Sequence, residues 1–264
     1  MDTAKITSLL ARFMELGISE QLDYEKFNLY SIITNSTAIE GSTITEVENH
    51  LMFEDGLAPA GRTIVEQMIN LDLKEAYEQA MHNAHTHREI TKDSLCELSA
   101  LVLKNTGSKH STMQGEFDSS KGELRLVNVS AGAAGRSYMD FKKVPQRLAE
   151  FCEWLNTERK NLKTSDIFGA YRLSFIAHYR LVTIHPWANG NGRMARLLMH
   201  QLQWEKNLLP TIVYRDRKPE YINSLLQTRE NKDENIFCEF MLGELARFLE
   251  HCIQEYESSA MHNA

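Results

Sequence analysis

Thr183-Ile184-His185-Pro186-Trp187-Ala188-Asn189-Gly190-Asn191-Gly192-Arg193-Met194-Ala195-Arg196 is a sharp break between two apolar helical patterns. Upstream, Ala170, Phe175 and Val182 follow a possible cap at Asp166, and the helix should end near Ile184 because Pro186 drives its predecessor out of the helical region. Downstream, Met194, Leu197, Leu198 and Leu202 resume the 3.6-residue period, so a second helix starts near Gly192. Gly190-Asn191-Gly192 then forms a turn pressed on a helix N-terminus. Glycines let backbone amides converge without Cβ obstruction, and the helix dipole adds positive potential. The product is an anion hole suited to phosphate. Arg193 and Arg196, three residues apart, add guanidinium forks in the first turn. His185, at the loop entrance, is placed as a general base.

Working outward, the helical period dominates. Ile6, Leu9, Leu10 and Phe13 share a face, and Gly17 stops that helix. A second helix runs from a cap at Asp23 through Phe27 and Ile32 toward Glu40-Gly41. Thr45 and Glu48 have capping-box spacing before Leu51 and Met52. Thr63 opens a longer helix with Val65, Met68, Leu73 and Tyr77, and Thr91 opens one with Leu95, Leu98 and Val102. Between Gly107 and Tyr138 the period breaks at Gly107, Gly115, Gly122, Gly132 and Gly135. There Leu124-Arg125-Leu126-Val127-Asn128-Val129 is the best strand candidate, and the turn Ser119-Ser120-Lys121-Gly122 before it suggests a short hairpin. Helices resume with Val144, Leu148, Phe151, Cys152 and Leu155, and end with Phe237, Met241, Leu245, Phe248 and Cys252. Pro219 stands where a helix should begin. The expectation is one all-α domain with a small β-flap.

With 264 residues, 42% hydrophobic and 25% charged, the chain has ample material for a core. A net charge of -7 argues against broad nucleic-acid binding. No apolar run is long enough to span a membrane, and the N-terminus lacks a secretory h-region. Cys96, Cys152, Cys238 and Cys252 form no CxxC pair, which argues against a zinc knuckle and for reduced thiols in a cytoplasmic location. Gly132-Ala133-Ala134-Gly135 lacks the context of a dinucleotide loop, and no GxxxxGK[ST] occurs. His82, His85 and His87 read as cations at a helix C-terminus. Arg215, Arg217 and Lys218 read as a solvated basic run that would assist a nearby nucleotide.

His, Pro, Gly, Asn, Gly and Arg at fixed places from His185 to Arg193 would coincide by chance with a probability on the order of 10⁻⁵. The segment His185 to Arg196 resembles the signature of Fic-domain proteins, HPFx(D/E)GN(G/K)RxxR. The resemblance implies a Fic-type helical fold and protein adenylyltransfer, that is, movement of AMP from ATP to a Ser, Thr or Tyr hydroxyl of a target protein. It implies that His185 takes the hydroxyl proton. Gly190, Asn191 and Gly192 would hold the α- and β-phosphates, and Arg193 and Arg196 would orient the triphosphate. In the family an acid at the position of Asn189 binds Mg²⁺. Here Asn189 offers only a neutral carbonyl oxygen, a weak ligand for Mg²⁺ or Mn²⁺. Trp187 for Phe is a milder departure.

Ser36-Thr37-Ala38-Ile39-Glu40-Gly41 resembles the family's inhibitory motif, (S/T)xxxE(G/N). The resemblance implies that Glu40 pairs with Arg196 and blocks productive ATP binding, with Ser36 in the same motif. Its position ahead of the core resembles the class with an N-terminal inhibitory helix. The implied organisation is residues 1-89 as an N-terminal helical region with the inhibitory motif, 90-230 as the Fic core, and 231-264 as a C-terminal helix packing on the core. A flap at about 116-129 would sit beside the site and pair with an extended target segment. The target is a protein, this chain included, and homodimerisation is compatible with the family. No nucleic acid or membrane partner is expected. Two alternatives stand beside transfer: removal of AMP or transfer of another phosphate-linked group on the same scaffold, and a catalytically weak nucleotide-binding regulator, suggested by Asn189.

Overall fold

The computed structural model describes residues 3–130 and 137–262, and Gly132-Ala133-Ala134-Gly135 lies outside them. The protein is all-α apart from one two-stranded sheet. Helix α1 (Thr3–Glu15) buries Ile6 and Phe13 and ends before Gly17, whose φ of 61° an L side chain resists. Helix α2 (Tyr24–Ile39) carries Ser36 and is C-capped by Glu40. Asp23 stands at its N-cap but makes no side-chain cap bond. Three capping boxes set the next helices: Thr45 with Glu48 for α3 (Glu46–Glu54), Thr63 with Glu66 for α4 (Ile64–His85), and Thr91 with Ser94 for α5 (Lys92–Val102).

The sheet departs from expectation. Its strands are β1 (Lys109–Thr112) and β2 (Gly115–Asp118), antiparallel with Lys109 opposite Asp118 and Thr112 opposite Gly115. Leu124 to Val129 is not a strand. The segment's backbone is paired elsewhere: Arg125 N–H donates to the Pro186 carbonyl, the Val129 carbonyl accepts from Tyr138, and the Val127 carbonyl accepts from the Arg125 side chain, which is only 1% exposed. Ser119–Lys121 is a 3₁₀ turn closed by Gly122 at φ 70°. A Cβ on Gly122 would fall 1.9 Å from the Cys96 carbonyl oxygen, so this backbone packs directly on α5.

Helix α6 (Val144–Asn161) lies on α7 (Ile167–Ile184), and α7 lies on α8 (Asn191–Glu205), which also packs on α4. Helix α8 is enclosed on almost every side. Helix α9 (Lys218–Asn231) starts with Pro219 in its first turn, where a missing N–H costs nothing. Helix α10 (Glu234–His262) packs on α1, α7 and α9. The core runs continuously through all of these helices except α3, so the helix pair flanking the His185–Gly190 break sits at the centre of the molecule. Among the described residues no helix is long and apolar enough to cross a membrane.

Candidate active site

Helix α7 ends at His185, which takes the left-handed conformation (φ 53°, ψ 62°) while its N–H still donates to the Leu181 carbonyl. Pro186 then forbids continuation. Trp187 is fully buried and donates from Nε1 to the Gly122 carbonyl at 3.0 Å. The Asn191 side chain closes the loop on itself, accepting from the Trp187 N–H (3.1 Å) and donating to the Trp187 carbonyl (2.9 Å). Asn191 therefore builds the turn with its amide side chain and offers the site only its backbone. Gly190 permits the turn with φ 76°. The first amides of α8 have no carbonyl one turn earlier to bind, so they face outward as donors.

Glu40 sits over those donors. A Cβ added to Gly192 would stand 2.5 Å from Glu40 Oε1, so glycine is required for this approach. Arg196 Nη2 donates to Glu40 Oε1 at 2.6 Å and to the Ser36 carbonyl at 2.9 Å, while Nε donates to Ser36 Oγ at 2.9 Å. The remaining arm, Nη1, reaches Tyr221 Oη at 3.4 Å, and that hydroxyl lies 2.8 Å from His178 Nε2. Arg196 is thus gripped by the end of α2 on one side and by α9 on the other. Burial raises the Glu40 pKa, but the charge and hydrogen bond of Arg196, followed by the charges of Arg193 and Lys218, bring it below the ordinary value. The side chain nevertheless keeps 41% of its area in solvent. The carboxylate stands beside Gly192 at the start of α8.

Arg193 is placed differently from Arg196. It is buried, donates from Nη1 to the Val102 carbonyl at 3.2 Å, and leaves Nε with no partner among the described residues. Burial lowers its pKa, and the Glu40 charge raises it.

The His185 ring has a defined polarity. Its Nδ1 lies 3.2 Å from the Val182 carbonyl, which can only accept, so Nδ1 carries the proton and Nε2 holds the lone pair. Tyr138 stacks on the ring with centroids 3.6 Å apart. Burial pushes the pKa down to about 4, and nearby Arg125 pushes the same way. The imidazole is neutral near pH 7, as a base must be. Arg125 fixes the turn from below, donating from Nε to the His185 carbonyl (2.8 Å), from Nη1 to Val127 (2.6 Å) and from Nη2 to Met139 (2.5 Å).

Asn189 is exposed on the same loop and brings no charge. Among the described residues no group of three or more His, Cys, Asp or Glu side chains could hold a metal. The nearby carboxylate, Glu40, is committed to Arg196. These donors do not fit a resident divalent ion.

The structure therefore brings His185, Gly190, Asn191, Gly192, Arg193, Arg196, Ser36 and Glu40 to one place, with Asn189 at its rim. Sequence reading missed Arg125, Tyr138 and Tyr221. None carries a local signal, because each enters from a distant element. Arg125 was visible only as an arginine inside an apolar run.

Residues 89–203 match the Fic/DOC family. A protein adenylyltransferase fic-1 of Caenorhabditis briggsae is 28% identical over 203 residues, covering 76% of this chain and 36% of that protein. A protein adenylyltransferase Fic of Drosophila grimshawi is 30% identical over 202 residues, covering 75% of this chain and 38% of the relative. The chain thus spans little more than a third of the length of these curated relatives. The crystal structure of a Fic domain containing signaling protein from Bacteroides thetaiotaomicron superposes with TM-score 0.77 at 21% identity, covering 96% of this chain and 97% of that one. Fic-1 from Caenorhabditis elegans superposes with TM-score 0.69 at 23% identity, covering 97% and 71%. Residues 89–203 of this chain are a Fic/DOC family domain, set in an all-α fold shared with solved Fic proteins.

Proposed function

We propose that this protein is a protein adenylyltransferase held in check by Glu40. The observation that carries the reading is the Glu40 carboxylate on Arg196, seated over Gly192 at the start of α8, in the space that a donor's phosphates need. An anion of the chain itself in that position supports reading the site as one that takes phosphates.

In the reaction we infer, an acceptor hydroxyl gives its proton to His185 Nε2 and attacks the α-phosphorus of ATP. The bond from that phosphorus to the bridging oxygen breaks, and pyrophosphate leaves. Backbone amides of Gly190, Asn191 and Gly192 take up phosphate charge, and Arg193 and Arg196 orient the triphosphate. While Arg196 is bound to Glu40 it is denied to the γ-phosphate, so ATP does not seat productively. Any divalent ion, Mg²⁺ or Mn²⁺, is part of the substrate, entering as the nucleotide's counter-ion with at most the Asn189 carbonyl as a protein ligand.

The same reading includes the three-part organisation: residues 1-89 regulate, 90-230 carry the chemistry, and 231-264 pack on the core. The partner is a protein with an accessible hydroxyl, this chain included, and self-association as a homodimer belongs to the proposal. Four free cysteines, among the described residues, support a reducing, cytoplasmic setting. Intact-mass spectrometry of Glu40→Gly after incubation with ATP tests the proposal: an adduct of one AMP that disappears in Glu40→Gly/His185→Ala supports it, and equal labelling of the two variants overturns it.

A second reading has its own observation. Glu40 also raises the His185 pKa through its charge, so carboxylate and imidazole act on each other across the site. That arrangement would serve removal of AMP, with Glu40 positioning a water. Release of AMP from a modified target, lost in Glu40→Gly, would favour it.

A further inference from the structure

We propose that Lys218 is a third cation of the donor site, which closes on the β- and γ-phosphates and supplies the charge that an acid-bound divalent ion would otherwise bring. The proposal rests on the nucleotide reading above and adds a residue to it.

Helix α9 begins at Lys218, and Lys218 and Tyr221 stand three residues apart on one face of its first turn. That face is turned to the cradle, because Tyr221 Oη meets Arg196 Nη1 at 3.4 Å. Lys218 also belongs to the set of cations whose charges hold Glu40 ionised, after Arg196 and Arg193. Its neighbour Arg217 is engaged elsewhere, bonding Glu220 at 2.6 Å and Glu244 at 3.1 Å and lying over the Phe240 ring. The Lys218 ammonium has no hydrogen bond or ion pair among the described residues, and the side chain is exposed. It is therefore the free cation on the face that looks at Glu40.

Charge balance explains why the site would use it. An acid with a divalent ion brings a net charge of one to the phosphates. Asn189 removes the acid and with it the anchor for the ion. One lysine ammonium brings the same net charge, as a mobile point donor suited to phosphate oxygens. Before ATP arrives, Glu40 occupies the field of all three cations. When it leaves, all three are available to the triphosphate.

The test is calorimetric titration of Glu40→Gly and Glu40→Gly/Lys218→Gln with ATP and with AMP, in EDTA and in Mg²⁺. The expected result is that Glu40→Gly binds ATP in EDTA within about threefold of its affinity in Mg²⁺. Lys218→Gln should then weaken ATP in EDTA by about tenfold, leave AMP within about twofold, and flatten the salt dependence of ATP binding. Unchanged ATP affinity in the double variant, or equal weakening of ATP and AMP, overturns the role of Lys218 while leaving the nucleotide site in place. Failure of Glu40→Gly itself to bind ATP removes both the nucleotide reading and this inference.

Discussion

Arg196 and Glu40 lie 156 positions apart in sequence and meet at 2.6 Å, guanidinium to carboxylate, at the N-terminus of α8. The two Ser36 contacts to the same guanidinium come from the same helix end, so the C-terminal end of α2 supplies three acceptors to Arg196. Tyr221, from α9, meets the other arm of the guanidinium at 3.4 Å.

Removing the Glu40 carboxylate should therefore activate without dismantling the site. Glu40→Gly is expected to raise ATP-dependent labelling of protein by at least about tenfold, since a charge-assisted bond competing for Arg196 is lost. The melting temperature should fall modestly, because Arg196, only 3% exposed, loses its carboxylate while keeping its bonds to Ser36 and Tyr221. Radiolabelled ATP and a thermal melt measure the two together. No rise in labelling would remove Glu40 from the regulation.

The pH profile follows from the buried imidazole. With the His185 pKa lowered to about 4, the neutral base is the majority form well below neutrality. Transfer by Glu40→Gly should rise with pH through about 4 and be flat from roughly pH 5 to 7. A midpoint near 6.5 would show that burial does not govern this histidine.

Stability should carry a related signature. Burial lowers the pKa of His178, His185 and His200, His200 to about 4. Depressed folded-state values contribute stability that is complete above the unfolded histidine value of about 6.5 and lost as pH falls toward 4. His200, 2% exposed and set between Tyr77 Oη (2.9 Å) and the Thr211 carbonyl (3.0 Å), would contribute on the order of 3 kcal/mol across that window. Urea unfolding at pH 7.5, 6 and 5 should show steep loss, and His200→Gln should reduce the proton uptake by about one. Carboxylates such as Glu66, held at about 2 by bonds from Thr43 and Thr63, act at lower pH, whereas Asp72 and Glu244, raised by burial, act with the opposite sign to the imidazoles. A flat profile would sink the argument.

Asn189→Asp should change the metal dependence of the reaction. The new carboxylate gives a divalent ion a charged ligand beside the phosphates. In a Glu40→Gly background, turnover at saturating Mg²⁺ should increase several-fold, with the increase lost in EDTA. Equal turnover with and without Mg²⁺ in both variants would mean that position 189 does not face the donor.

What the sequence made legible was local. Pro186 and the Gly190-Asn191-Gly192 turn locate the α7–α8 break, and the Thr45, Thr63 and Thr91 caps start helices as their spacing requires. The pairing of Glu40 with Arg196 followed from resemblance, since no periodicity links residues so far apart. The hairpin was misplaced because Leu124, Leu126 and Val127 look like strand residues, whereas the segment's backbone pairs elsewhere, Val127 with the Arg125 side chain and Arg125 N–H with the Pro186 carbonyl. Lys109–Thr112 and Gly115–Asp118 are mostly exposed, so they lack the hydrophobic alternation that reveals a strand. Tyr138 and Tyr221 are ordinary aromatics until the fold sets one on His185 and the other against Arg196.

Arg125 offers a last test of how the site is supported. It is buried, its burial lowers its pKa, and its hydrogen-bond partners are neutral carbonyls, one of them that of His185. Its planar fork spans three acceptors at once, which a lysine ammonium at one point does not. Arg125→Met should therefore leave three carbonyls unpaired and cost about 3 kcal/mol, at roughly 1 kcal/mol for each lost bond. Arg125→Lys should recover little of it. Because one of those carbonyls belongs to His185, the proposed base, kcat in the Glu40→Gly background should fall in both variants, while the Kd for ATP, which the proposal assigns to α8, should change much less. Urea midpoints, single-turnover rates and nucleotide titrations separate the effects. Loss of ATP binding in step with kcat would show instead that Arg125 holds the whole loop, with His185 only one of its dependents.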